Sequence, residues 1–94
     1  MLSGKRLQQK VAPTAAKFRA LGDANRFAIL YLLAADPMDV GDIIDRTKLS
    51  PSLVAHHLKV LLQTGWVTKT KYGKLVTYYL VEGAVGELTK FFLK

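Results

Sequence analysis

Apolar and polar positions alternate along this chain in two different rhythms, first helical and then strand-like. Pro13 suits the first turn of a helix, because the N–H it lacks is one that a helix start leaves unpaired anyway. The run from Thr14 ends at Leu21-Gly22, where glycine is a natural terminator. Residues 1–12 are polar and basic with scattered Leu2, Leu7 and Val11, compatible with helix or with frayed chain. A helix running through from Lys5 should kink at Pro13. Asp23 then caps a second helix to about Ala35. Its Phe27, Ala28, Ile29, Leu30, Leu32 and Leu33 leave little polar face, so a buried central helix is expected. Asp36-Pro37 stops it. Asp39 with Asp42 three residues on has the form of a weak capping box for a short third helix, with Val40, Ile43 and Ile44 turned inward.

A turn over residues 47–49 leads to Ser50-Pro51, a hydroxyl cap followed by proline in the first helical position. The fourth helix it opens should run to about Gln63 and end at Gly65. The rhythm then changes. Two runs of β-branched and aromatic residues, 66–71 and 75–80, flank Lys71-Tyr72-Gly73-Lys74 and predict a β-hairpin. Glu82 opens a last stretch with Val85, Leu88, Phe91, Phe92 and Leu93 that reads as a helix despite Gly83 and Gly86. The expected fold is mainly α with a β-hairpin wing, in the order α-α-α-α-β-β-α. It is one domain over residues 1–94, as the chain's length suggests.

Charge adds direction to this outline. Fourteen Lys and Arg against seven Asp and Glu give a formal charge of +7. From Arg46 to Val81 there is no acidic residue, while Arg46, Lys48, Lys59, Lys69, Lys71 and Lys74 are basic. An acid-free basic segment suits a polyphosphate, through release of its counterions; a merely solvated basic face is the alternative. The absence of cysteine excludes disulfides, thiolate metal sites and thiol redox sensing. The longest apolar run, 27–35, is too short to cross a bilayer, and no apolar run follows Lys5, Arg6 and Lys10 as a secretory signal would require. A cytoplasmic protein without a membrane partner is expected.

The fourth helix carries the candidate chemistry. At about 100° per residue, Val54, Leu58 and Leu61 fall within a narrow inward arc. Opposite them lie Ser52, His56, Lys59 and Gln63, with Ala55 at the edge. Small residues at a helix start let its backbone approach base edges, and longer donors behind them reach bases or phosphates. A short helix, a tight turn and a capped second helix are the parts of a helix-turn-helix, here about 39–63, with the wing at about 66–80. His56 stands on the outer stripe, whereas His57 falls beside the inward face and is expected to be a hydrogen-bonded structural residue. Adjacent helical histidines point about 100° apart, so they do not chelate one metal. In the hairpin, Lys69 and Lys71 share a face, alternating with Thr68 and Thr70, and Tyr72, Gly73 and Lys74 form the tip. Trp66, Tyr78 and Tyr79 are expected to pack the hairpin on the helices rather than to stack on bases.

These residues resemble the ArsR/SmtB family of winged-helix repressors over about 18–80. The resembling pieces are Phe18-Arg19-Ala20-Leu21-Gly22-Asp23, Asn25-Arg26-Phe27 with Ile29-Leu30, Leu49-Ser50, and Val54-Ala55-His56-His57-Leu58-Lys59-Val60-Leu61. Gly65-Trp66-Val67, the glycine of the hairpin tip and Tyr78 complete them. The resemblance implies a homodimer whose first and last helices, about 13–21 and 82–93, pack across a two-fold axis. It implies binding of inverted-repeat double-stranded DNA, usually as a repressor released by an inducer. Carried over by position, the DNA-facing set is Ser50, Ser52, Ala55, His56 and Lys59, with Lys71 and Lys74 in the wing; Lys69 and Tyr72 join it from the hairpin pattern. The dimer set is Phe18, Leu21, Val85, Leu88 and Phe92, the last three forming an apolar stripe at i, i+3 and i+7, with a plain core position the equal alternative for Phe18.

Departures from the family pattern narrow the expectation. Asp39 and Gly41 stand where metal-sensing members have a cysteine pair, and residues 82–94 hold no histidine for the family's other metal site. No metal, cofactor or catalytic residue is therefore expected, and the inducer is left unspecified. Lys48 stands where the family often has glycine, and Tyr72 replaces the usual acidic residue of the wing tip. Two other functions share the same features: a non-specific architectural or viral DNA-binding protein, and a winged-helix protein-interaction module. No P-loop, nucleophile motif or metal cluster supports an enzyme.

Overall fold

The structure, a computed structural model, describes residues 3–84, 86 and 90. Helix α1 spans Gly4–Leu21, α2 Ala24–Ala35, α3 Val40–Thr47 and α4 Pro51–Gln63; strands β1 Met38–Asp39, β2 Val67–Tyr72 and β3 Leu75–Leu80 make one antiparallel sheet. The last expected helix, with Val85, Leu88 and Phe92, lies largely outside the described residues.

Helix α1 begins at Gly4 rather than Pro13. Ser3 caps it by accepting the Arg6 amide, and Pro13 sits within it. Lys, Arg, Leu and Gln dominate residues 5–10, all straight-chain or unhindered helix formers. Pro13 withholds one ladder bond on a stretch where residues 3–13 are all exposed, so little packing opposes the helix there. Gly22 ends it in a right-handed conformation (φ −71°), donating to the Arg19 carbonyl.

Asp23 caps α2 as expected, its Oδ1 accepting the amides of Asn25 (2.9 Å) and Arg26 (3.1 Å). The helix is less enclosed than its apolar composition predicts. Ile29, Leu30 and Leu33 are buried, but Phe27 is 54% and Tyr31 74% exposed. The described elements pack against one side of α2 only, which composition by itself does not reveal.

A two-residue strand absent from the sequence reading follows α2. Met38 and Asp39 of β1 pair with Tyr78 and Thr77, giving the order β1-β3-β2. Two residues carry no periodicity, and their conformation comes from the edge that β3 offers. Asp39 then turns from strand to cap, accepting the Asp42 amide at 2.8 Å. Lys48 closes α3 at φ 60°, its amide donating to the Ile44 carbonyl. The Thr47 hydroxyl donates back to Ile43 and accepts the Leu49 amide, so a side chain holds the turn between α3 and α4.

Helix α4 ends in a Schellman arrangement. Gly65 takes φ +79° and donates to Leu62, while Trp66 donates to Leu61 at 3.0 Å. This bend drops Trp66 into the core, 1% exposed, with its Nε1 donating to the Lys17 carbonyl of α1 at 2.9 Å and the Lys17 ammonium 5.1 Å from its ring centre. Ile29, Ile43, Val54, Leu58 and Leu61 complete a core enclosed by α2, α3, α4 and the sheet base. The hairpin turns through Gly73-Lys74, with Tyr72 opposite Leu75, one residue later than expected. Gly73 takes φ +63°, the first-position requirement of a type II′ turn.

Candidate nucleic-acid interface

The wheel drawn from sequence holds in three dimensions. Val54, Leu58 and Leu61 are 0%, 1% and 0% exposed, and Ser52, Ala55, His56, Lys59 and Gln63 are all exposed on the other side of α4. Burying the three aliphatic side chains supplies about 1.5–3 kcal/mol each, enough to define which face the helix presents. At its start, the Ser50 hydroxyl accepts the Leu53 amide at 3.2 Å and lies 3.5 Å from the Ser52 hydroxyl. Ser50 is thereby engaged as a cap, while Ser52 projects one residue beyond the proline.

Strand register decides which side of the hairpin carries the lysines. Lys69 lies opposite Tyr78 and Lys71 opposite Val76, and directly opposed antiparallel residues share a face. That face also holds Val67 and Tyr78, both buried against the helices. Lys69 and Lys71 therefore extend the helix-facing side of the sheet beyond its buried root, and both are exposed. Thr68, Thr70 and Tyr72 occupy the other side, where Thr70 Oγ1 donates to the Tyr79 hydroxyl at 3.4 Å. Tyr72 is 89% exposed at the tip. Lys74 stands apart from Lys69 and Lys71, lining a shallow cleft with Asp39, Val40 and Gly41 at the start of α3. Its position next to an acidic cap distinguishes it from the other wing lysines.

The two histidines separate as their wheel positions require. His56 is exposed, and His57 is 3% exposed, with ring centres 5.7 Å apart and planes at 54°. Arg26 of α2 meets His57 Nδ1 at 3.3 Å. Sequence patterning did not find Arg26 as a partner, because it lies 31 positions away on another helix. Phe18, 46% exposed, and the half-buried Leu21 lie on α1; the other expected dimer residues are outside the described ones. Among the described residues, no three His, Asp or Glu side chains come together as an ion site, and no helix is long and apolar enough to cross a membrane.

A helix-turn-helix followed directly by a hairpin, with an acid-free outer stripe, is thus in place when the chain is compared with known proteins. Residues 23–69 match the model of the bacterial regulatory protein, arsR family. This chain belongs to the arsR family. An uncharacterized HTH-type transcriptional regulator, MJ1325 of Methanocaldococcus jannaschii, is 39% identical over 83 residues, covering 87% of this chain and 93% of the relative. The transcriptional repressor SdpR of Bacillus subtilis is 33% identical over 67% of this chain and 70% of its own length. Among solved structures, the homodimeric winged helix-turn-helix DNA-binding domain of Mb0332 from Mycobacterium bovis superposes with a TM-score of 0.78 at 25% identity, covering 98% of this chain and 82% of that one. The arsR-family chain is a winged helix-turn-helix transcriptional regulator, with β1 as a third strand beside the wing.

Proposed function

We propose that this chain is a homodimeric repressor that reads an inverted repeat in double-stranded DNA, with α4 in the major groove and the β2–β3 hairpin as wing. The outer stripe of α4 carries the reading: Ser52, Ala55, His56 and Lys59 are exposed together, without a carboxylate from Pro51 to Gln63, while the opposite stripe is sealed in the core. An α-helix fits the major groove, and there small residues and side-chain donors meet base edges. Ser50 positions the helix start. Lys69 and Lys71 meet phosphates, and Tyr72 and Lys74 reach the flanking backbone from the tip.

Dimerisation is supported by apolar side chains left outward on α1 and α2. Leu7, Val11 and Phe18 are 50%, 37% and 46% exposed on α1. An apolar hollow of about 350 Å³ lies between α1, α2 and the hairpin root, lined by Leu21, Phe27, Leu30, Tyr31, Trp66 and Leu80. Phe18 and Leu21, together with Val85, Leu88 and Phe92, form the two-fold interface. The protein acts in the cytoplasm, where its DNA is, as a regulator and not as a catalyst.

Selection of bound sequences from a random duplex pool tests the reading directly. A palindromic consensus with half-sites about one helical turn apart is expected. Uniform affinity for all duplexes would instead mark an architectural protein, and no retardation at moderate salt an interaction module. Light scattering at micromolar concentration should give twice the chain mass; a monomer would remove the two-fold reading.

A further inference from the structure

Arg26 joins three elements directly behind the reading face. Its Nε donates to the Ala20 carbonyl at the end of α1 (2.7 Å), its amide donates to the Asp23 cap (3.1 Å), and a terminal nitrogen meets His57 Nδ1 of α4 at 3.3 Å. A guanidinium only donates, so His57 Nδ1 is the acceptor and the neutral ring carries its proton on Nε2. That Nε2 is buried, has no hydrogen-bond partner among the described residues, and lies 4.0 Å from Asp23 Oδ1. A buried donor left unpaired is costly, and packing alone would be served better by an apolar side chain. The imidazole is instead placed between a cation on one edge and a carboxylate near the other.

We propose that the Arg26–His57 contact is a latch that seats α4 against the α1–α2 corner, and that protonation of His57 opens it and weakens duplex binding. The last clause rests on the DNA-binding reading. Adding a proton turns Nδ1 into a donor facing a donor, and sets an imidazolium against a guanidinium. His57 must then move away from Arg26, and His56, the next residue, moves with it on the reading stripe. Among the described residues, the charged or titratable groups beside His57 are Asp23, the cap of α2, Arg26 of α2 and His56 of α4. Burial holds the His57 imidazole below the usual histidine value; Asp23 opposes this, and Arg26 and His56 reinforce it. The unfolded chain therefore takes up this proton first. The latch contributes fully above about pH 6.5, and its contribution is lost as pH falls below that value toward the depressed folded one.

The test has two arms. In the free protein, NMR titration follows both imidazoles and the α4 amides in the wild type, His57→Asn and Asp23→Asn. In the His57→Asn protein the side-chain amide oxygen takes the place of Nδ1 as acceptor without titrating, and Asp23→Asn keeps the cap while removing the carboxylate charge. His57 should titrate below the usual histidine value, with the α4 amides following it; Asp23→Asn should move that titration lower, and His57→Asn should abolish the α4 response. Should His57→Asn fail to fold, Arg26→Gln is read instead, and it should raise the His57 titration. In the second arm, a fluorescent duplex of the selected consensus is titrated at about pH 7.5 and about pH 5.5. The wild type should lose about fivefold more affinity than His57→Asn across that interval, the worth of one hydrogen bond. Amides of α4 that ignore the His57 proton, an unmoved titration in Arg26→Gln, or parallel affinity profiles would each overturn the latch. Absence of duplex binding at either pH sinks the DNA reading, and the first arm still decides the latch.

Discussion

The outer stripe of α4 and the outward side of α1 and α2 are both exposed, yet they differ in every property that selects a partner. The α4 stripe runs from small hydroxyl and methyl side chains to His56 and Lys59, with Lys69 and Lys71 extending the same chemistry onto the hairpin. The α1–α2 side shows Leu7, Val11 and Phe18 along α1, and Phe27 and Tyr31 at an apolar hollow. A stripe of donors without carboxylates is stable in water and gains by meeting phosphates and base edges. A patch of large apolar side chains gains by leaving water. In the proposed reading, one small chain separates recognition of DNA from recognition of its own copy by placing them on different helices. Asp23, Arg26 and His57 lie where those helices meet.

Substitutions on each surface should act on different measurements. The largest effect belongs to the sealed side of α4: Leu61→Ala should cost about 2–5 kcal/mol by denaturant unfolding, through lost contacts and the cavity left behind. On the exposed side of the same helix, His56→Ala should leave stability nearly unchanged while raising the binding free energy for the selected consensus by about 1–3 kcal/mol, with a smaller loss on random duplex. Equal losses on both duplexes would remove His56 from base reading. On the apolar side, Leu7→Glu with Val11→Glu should weaken self-association at least about tenfold by analytical ultracentrifugation. An unchanged dimer would show that the projecting half of α1 lies outside the interface. Lys71→Ala should weaken all duplexes alike and lower the slope of log affinity against log salt by about one. The smallest effect is expected at Lys48→Gly. Relief of the left-handed backbone, offset by the greater freedom of glycine in the unfolded chain, should raise stability by less than about 1 kcal/mol in thermal unfolding.

How far such features were legible depends on how local their causes are. The caps at Asp23, Asp39 and Ser50 were legible because each is a side chain reaching amides two or three residues on. The two stripes of α4 were legible because 3.6-residue periodicity converts spacing into direction. The Gly65 terminator had its local sign too, although only the structure shows that the same bend delivers Trp66 to α1. By contrast, β1 had no signal of its own. The helical start before Pro13 ran against the strongest local breaker in that region, and α2 was read as enclosed because composition cannot say how many of its sides are covered.

Short-range spacing and charge were enough to set the element order around the turn, the inward and outward faces of α4, and the acid-free basic character of residues 46–81. The face of the hairpin that its lysines share needed the folded chain, because it depends on β2–β3 register and on Val67 and Tyr78 packing against the helices. So did the place of Arg26, of no evident role in the linear chain, behind α4 with His57. That contact joins positions far apart in sequence, and no local rule of spacing or propensity relates two residues brought together only when separate helices pack.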